Sequence, residues 1–146
     1  MPDRRAPFRA AAVALVVAVA AAVFDMGGFD LTQFLRVGEQ AWARDFVEAD
    51  LPDTHVVPGW GHDGQANYVL AAVFPDLAEA DGYLDSVTYR SRRIVYPALL
   101  SWVPRGMPLV AAMWIVNLAA IAGAAAALAA LARRHRASWL VGAAVG

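Results

Sequence analysis

Two stretches of this chain are apolar almost without interruption, and a long mixed stretch separates them. Residues 109–132 carry no charge and a single polar side chain, Asn117. At 1.5 Å per residue they make a helix of about 36 Å, enough to cross a hydrocarbon core of about 30 Å with some tilt. Arg133, Arg134, His135 and Arg136 follow at once and predict a cytoplasmic basic loop over 133–136. Ala119, Gly123 and Ala127, spaced by four, form a stripe where a second helix can approach closely. The other apolar run, 10–24, sits behind Arg4, Arg5 and Arg9 and is extended by Met26 to Phe29. It reads as a retained transmembrane helix over 10–29 preceded by a cytoplasmic N-terminus over 1–9. Its short apolar core also suits a signal peptide, and cleavage would leave a secreted or tail-anchored protein.

Residues 30–108 are then an extracytoplasmic loop. Leu31, Phe34, Leu35, Trp42 and Phe46 fall near one face of a helical projection, away from most of Arg36, Glu39, Arg44 and Asp45. That spacing predicts an amphipathic helix over 31–47, lying on the membrane, on other spans, or inside a small loop domain. Pro52, Pro58 and Gly59 mark irregular chain, 67–74 a helical stretch, and Pro75-Asp76 a further break. Beyond the basic loop the chain turns apolar again, so 137–146 reads as the start of a third transmembrane helix. The expectation is an all-α membrane protein: two transmembrane helices joined by a mostly helical exported loop, as a fragment of something larger.

Composition agrees. Apolar residues make up 60% and charged ones 17%, with a mean hydropathy of +0.46, against about half and a quarter in soluble domains. The net charge of −1 conceals an asymmetry. Both ends are basic, while 25–108 hold twelve acids against six Arg. This predicts a multi-pass protein of the cell membrane with a cytoplasmic N-terminus. There is no cysteine, so neither a disulfide nor a thiolate metal site is available.

Two clusters in the loop carry candidate chemistry. In Gly61-His62-Asp63-Gly64-Gln65, glycines flank an acid just before a helix. Such an acid can serve as a general base, ligate a hard cation, or simply cap the helix. His55 and His62 have no third histidine in the loop, which argues against zinc. In Tyr89-Arg90-Ser91-Arg92-Arg93-Ile94-Val95-Tyr96-Pro97, three Arg interleaved with Tyr suit a phosphate. They equally suit pairing with Asp76, Glu79, Asp81 and Asp85, or with anionic lipid. Nucleic acid is excluded by the acidic, exported surroundings.

In their order, these motifs, with Val116-Asn117-Leu118 in the span, resemble the first part of polytopic membrane proteins grouped with the GT-C glycosyltransferases. The resemblance implies transfer of a sugar from a polyprenyl-phosphate donor at the outer membrane face. It assigns the catalytic base to Asp63, with Asp25 and Asp30 as rivals directly after the first helix. It assigns the donor phosphate to Arg90, Arg93 and Tyr96, and substrate binding to Gln65 and Tyr68. Members of the group sometimes use a divalent metal, Mg or Mn, beside the base; the sequence names no ligands for one. Ala66, Asn67 and His62 depart from the pattern. The implied partners are membrane lipids, the lipid-linked donor and the remaining transmembrane helices of a full-length protein. The fragment alone is expected to be inactive. The competing reading is a non-catalytic multi-pass protein whose exported loop binds a partner or ligand.

Overall fold

The structure is a computed structural model that describes residues 5–25 and 30–135. It is mostly helical and divides into two compact units. One comprises the chain up to Phe29 together with the chain from Ile115; the other is Asp30–Trp114.

The first unit is built from α1 (Ala6–Asp25) and the greater part of α6 (Met107–Arg134). Both are long and apolar enough to cross a membrane. The helix expected over 10–29 begins four residues earlier, and α6 exceeds the expected 109–132 by two residues at each end. Residues 1–4, 26–29 and 136–146, including the basic loop's Arg136 and the expected third helix, lie outside the described residues. The core of this unit is small: Ala10 and Ala14 of α1 meet Ala125 and Ala129 of α6, with Ile121 against them. Alanines four apart on each helix let the backbones approach closely. The stripe expected at Ala119, Gly123 and Ala127 is exposed instead. In so alanine-rich a helix several stripes are equivalent by composition, and the packed one is displaced by two residues.

The second unit is organised around α3 (Asp63–Val73), which buries Ala66, Tyr68, Val69, Leu70, Ala71 and Val73. Against it lie a 3-10 turn at Leu31–Leu35, α2 (Arg44–Asp50), a 3-10 turn at Leu77–Ala80 and α5 (Val95–Leu100). Two minimal strands, β1 (Val37–Gly38) and β2 (Val56–Val57), pair in parallel, Val37 with Val56 and Gly38 with Val57. The short helix α4 (Val87–Arg90) and a 3-10 turn at Ser91–Arg93 lead into α5. Leu109, Val110 and Met113, on the first turns of α6, are buried in this unit.

The single amphipathic helix expected over 31–47 does not form. Asp30 caps the 3-10 turn, accepting hydrogen bonds from the Thr32 amide at 2.9 Å and hydroxyl at 2.7 Å. Arg36 then adopts a left-handed conformation, φ 50°, which a continuing α-helix cannot contain. Gly38 is committed to the strand pair, and helix resumes only at Arg44, where the Arg44–Glu48 pair at 2.9 Å bridges one turn. Leu35, Val37, Phe46 and Val47 are buried from three separate elements rather than one face, while Trp42 is exposed.

Candidate functional site

The glycines of the Gly61–Gln65 segment are explained by backbone crossing. Gly61 has φ 69°, and a Cβ there would overlap the Arg36 carbonyl and the Gly38 amide. Gly38, in turn, lies against the Gly59, Trp60 and Gly61 backbone with no room for a side chain. A Cβ on Gly64 would come within 2.8 Å of the Leu35 carbonyl oxygen. Gln65 locks this crossing: its Oε1 accepts from the Gly38 amide at 3.1 Å and its Nε2 donates to the Trp60 carbonyl at 2.7 Å. The crossing fixes the start of α3 and leaves Asp63 on the outside of its first turn. The helix N-cap is His62, without a side-chain bond, so Asp63 is the first helical residue rather than a capping one. Its charge there is favoured by the helix dipole.

The two motifs meet at Asp63. Arg90 Nη1 donates to Asp63 Oδ1, and Arg93 Nη1 donates to Oδ2 at 3.1 Å. Arg90 is shared, since its Nε and Nη2 also engage both oxygens of Asp85 at 2.9 and 3.1 Å. This fork-to-fork pair holds the Asp85 carboxyl below the usual carboxylate range and raises the Arg90 guanidinium. The Tyr89 ring lies 5.8 Å from the Arg90 guanidinium carbon. Arg93 remains 74% exposed. Ser86 accepts from the Tyr89 amide, capping α4 and setting the Arg residues on their way to α3.

Asp63, Ala66, Asn67, Leu70, Tyr89, Arg90 and Arg93 line a small cleft of about 30 Å³, room for about two waters. Arg90 and Ala66 also line a larger pocket of about 160 Å³ with the exposed Trp42 and Trp60, Gln65, Tyr83 and Asp85. Trp60 is not singled out by the sequence, and Trp42 is expected only on the apolar face of a 31–47 helix. Their sequence signal is a tryptophan set between two small residues, in Ala41-Trp42-Ala43 and in Gly59-Trp60-Gly61.

The other expected site residues take structural places. Tyr68 is fully buried; its hydroxyl donates to Asp50 Oδ2 at 2.9 Å and accepts from the Gly106 amide at 2.7 Å. Arg105 Nε reaches the same Asp50 oxygen at 2.8 Å, with its guanidinium 4.5 Å from the Phe46 ring centroid. Burial raises the Tyr68 pKa well above the ordinary phenol value. Tyr68 therefore ties α3 to α2 and to the chain entering α6, and is out of a ligand's reach. Gln65 serves the backbone crossing described above. Tyr96 donates to the Met113 carbonyl at 3.0 Å, away from the cleft, and so fixes α5 beside α6. Asp30 caps its own turn, while the Asp25 side chain lies outside the described residues.

Nor does the cleft suit Mg or Mn. Its one carboxylate is already faced by two guanidinium groups, and the other nearby carboxylate is held by Arg90. Among the described residues no three His, Asp or Glu side chains converge as a metal group. No family model matches the chain, and neither a curated protein nor a solved structure does.

Proposed function

We propose that this chain is the N-terminal portion of a multi-pass membrane glycosyltransferase of GT-C type, taking a sugar from a polyprenyl-phosphate donor at the outer membrane face. The observation that carries the reading is the convergence of Asp63 with Arg90 and Arg93, which lie 27 and 30 residues further along the chain. In this reading α1 and α6 span the membrane, the basic ends stay in the cytoplasm, and 30–108 lie outside. Arg90 and Arg93 receive the donor phosphate as a bidentate, charge-assisted contact. The adjoining pocket, lined by Trp42 and Trp60, offers aromatic surface beside which a sugar ring can lie. Asp63, released from its arginines, takes the proton of the attacking hydroxyl.

The test is transfer from polyprenyl-phosphate sugars by membranes containing the full-length protein. Asp63→Asn should abolish transfer while donor binding persists, and Arg90→Ala with Arg93→Ala should weaken donor binding by tenfold or more. Unchanged transfer by Asp63→Asn would sink the reading.

A second reading has its own support. Asp63 is already paired with two arginines, and Gln65 and Tyr68 are engaged in the scaffold. Such a loop suits a non-catalytic module that presents Arg93 and the tryptophan pocket to a ligand. Donor or partner binding without transfer in the full-length protein selects it.

A further inference from the structure

We infer that α5 and the turn after it form an interfacial foot that rests its outer face among lipid head groups. The inference rests on the reading of α6 as a membrane span. Val95, Leu99 and Trp102 are 73%, 61% and 82% exposed, and they recur at i, i+4 and i+7, one helical face. Single exposed apolar residues are ordinary, but three large ones in helical register along α5 and the turn that follows it are not. The Trp102 indole N–H is already satisfied by the Leu99 carbonyl at 2.6 Å, so its ring needs no water partner. Arg92, one turn earlier, is exposed as well and suits a lipid phosphate.

The depth follows from one hydrogen bond. Tyr96 donates to the Met113 carbonyl, which holds α5 beside the first two turns of α6. The 28 residues of α6 make about 42 Å of helix, exceeding a hydrocarbon core of about 30 Å by roughly 12 Å. As one end of that span, the opening turns of α6 lie near the membrane interface, and the Tyr96–Met113 bond keeps α5 beside them. Tryptophan is enriched there, with an apolar ring and a satisfied N–H. The occupant of this face is lipid at interfacial depth.

The absence of cysteine makes single-cysteine labelling direct. The chain is reconstituted in vesicles of phosphatidylethanolamine and phosphatidylglycerol with an environment-sensitive fluorophore at Val95→Cys, Leu99→Cys or Trp102→Cys. Ala119→Cys on α6 and Ala78→Cys, at an exposed position of the Leu77–Ala80 turn, serve as controls. The expected result is blue-shifted emission at 95, 99 and 102, quenched more by a nitroxide near the head group than by one deep in the acyl chain. Ala119→Cys should show the reverse preference, and Ala78→Cys neither. Water-like emission at 95, 99 and 102 with a deeply quenched Ala119→Cys overturns the foot and leaves the span standing. Blue-shifted emission that neither lipid quenches also overturns it, because protein then covers the face. An unquenched Ala119→Cys removes the span itself, and the foot with it.

Discussion

The two units of this molecule are packed on opposite plans. In Asp30–Trp114 the core is made of bulky side chains, Leu35, Val37, Val47, Tyr68, Val69 and Leu70, although Trp42, Trp60, Val95, Leu99 and Trp102 stand exposed around it. In the helical unit the buried residues are alanines, and the bulk points outward. Val16, Val17, Phe24, Ile115 and Leu131 are all exposed. In water that second plan leaves most of the apolar area unburied and forgoes about 25 cal/mol for each Å². In hydrocarbon it sacrifices nothing, and close approach through small residues becomes the useful device. Both plans occur in one chain, and the two helices of the second are long and apolar enough to cross a membrane.

The sharpest way to break the contrast lies in the loop unit's backbone. Gly61→Ala forces a side chain into a left-handed residue and against the Arg36 carbonyl. We expect a loss of at least about 3 kcal/mol, from the left-handed penalty plus overlap with rigid backbone. Proteolysis of the reconstituted chain should then cut within 30–106 while α1 and the later turns of α6 stay protected. The helical unit is probed by Val16→Arg. If that face meets hydrocarbon, the charge costs about 3 kcal/mol and membrane integration falls measurably. A face in water would accept it without effect, and the solvent contrast would fail.

Tyr68→Phe has a smaller expected cost, about 1–3 kcal/mol, because it strips Asp50 of a donor and leaves the Gly106 amide unpaired. Its pH signature is specific. A phenol whose folded pKa is raised holds its proton while the unfolded chain loses one above its ordinary value of about 10. Stability should therefore be level below that pH and decline above it. The decline should be shallower in Tyr68→Phe; an identical slope in both proteins would argue against the buried hydroxyl. At the low end, Asp63→Asn should change stability by less than about 1 kcal/mol, since its ion pairs are more than half exposed on the Asp63 side. Thermal unfolding in detergent would register a larger shift if the site were a structural clamp.

How far the sequence carried differs between the same two regions. Uninterrupted apolar runs locate α1 and α6, because charge exclusion is a property of composition and survives errors in register. The packed alanine stripe is not legible, since alanine occurs on every face of α6. In the loop, apolar spacing over 31–47 imitates a helix, and nothing local reveals that Arg36 turns left-handed or that Gly38 must sit against Gly61. Those are consequences of a contact between segments more than twenty residues apart. The polar residues of the two motifs divide in the same way. Asp63, Arg90 and Arg93 do converge, but Gln65, Tyr68 and Tyr96 hold backbone and scaffold together. A hydrogen-bonding side chain looks the same in a sequence whether it awaits a ligand or already has its partner.

The sharing of Arg90 sets the order of events at the cleft under the proposed reaction. Its Nε and Nη2 are held by Asp85, so the side chain stays in place when Nη1 changes partner. Asp63 has no comparable second anchor; both of its oxygens are spent on the two arginines. An incoming phosphate therefore evicts one carboxylate and keeps the other, an anion exchange at a fixed cation. The carboxylate set loose is the one in the base's position. Donor arrival and the freeing of the base become a single substitution, and a donor that binds more tightly to Asp63→Asn than to the wild type would be its mark.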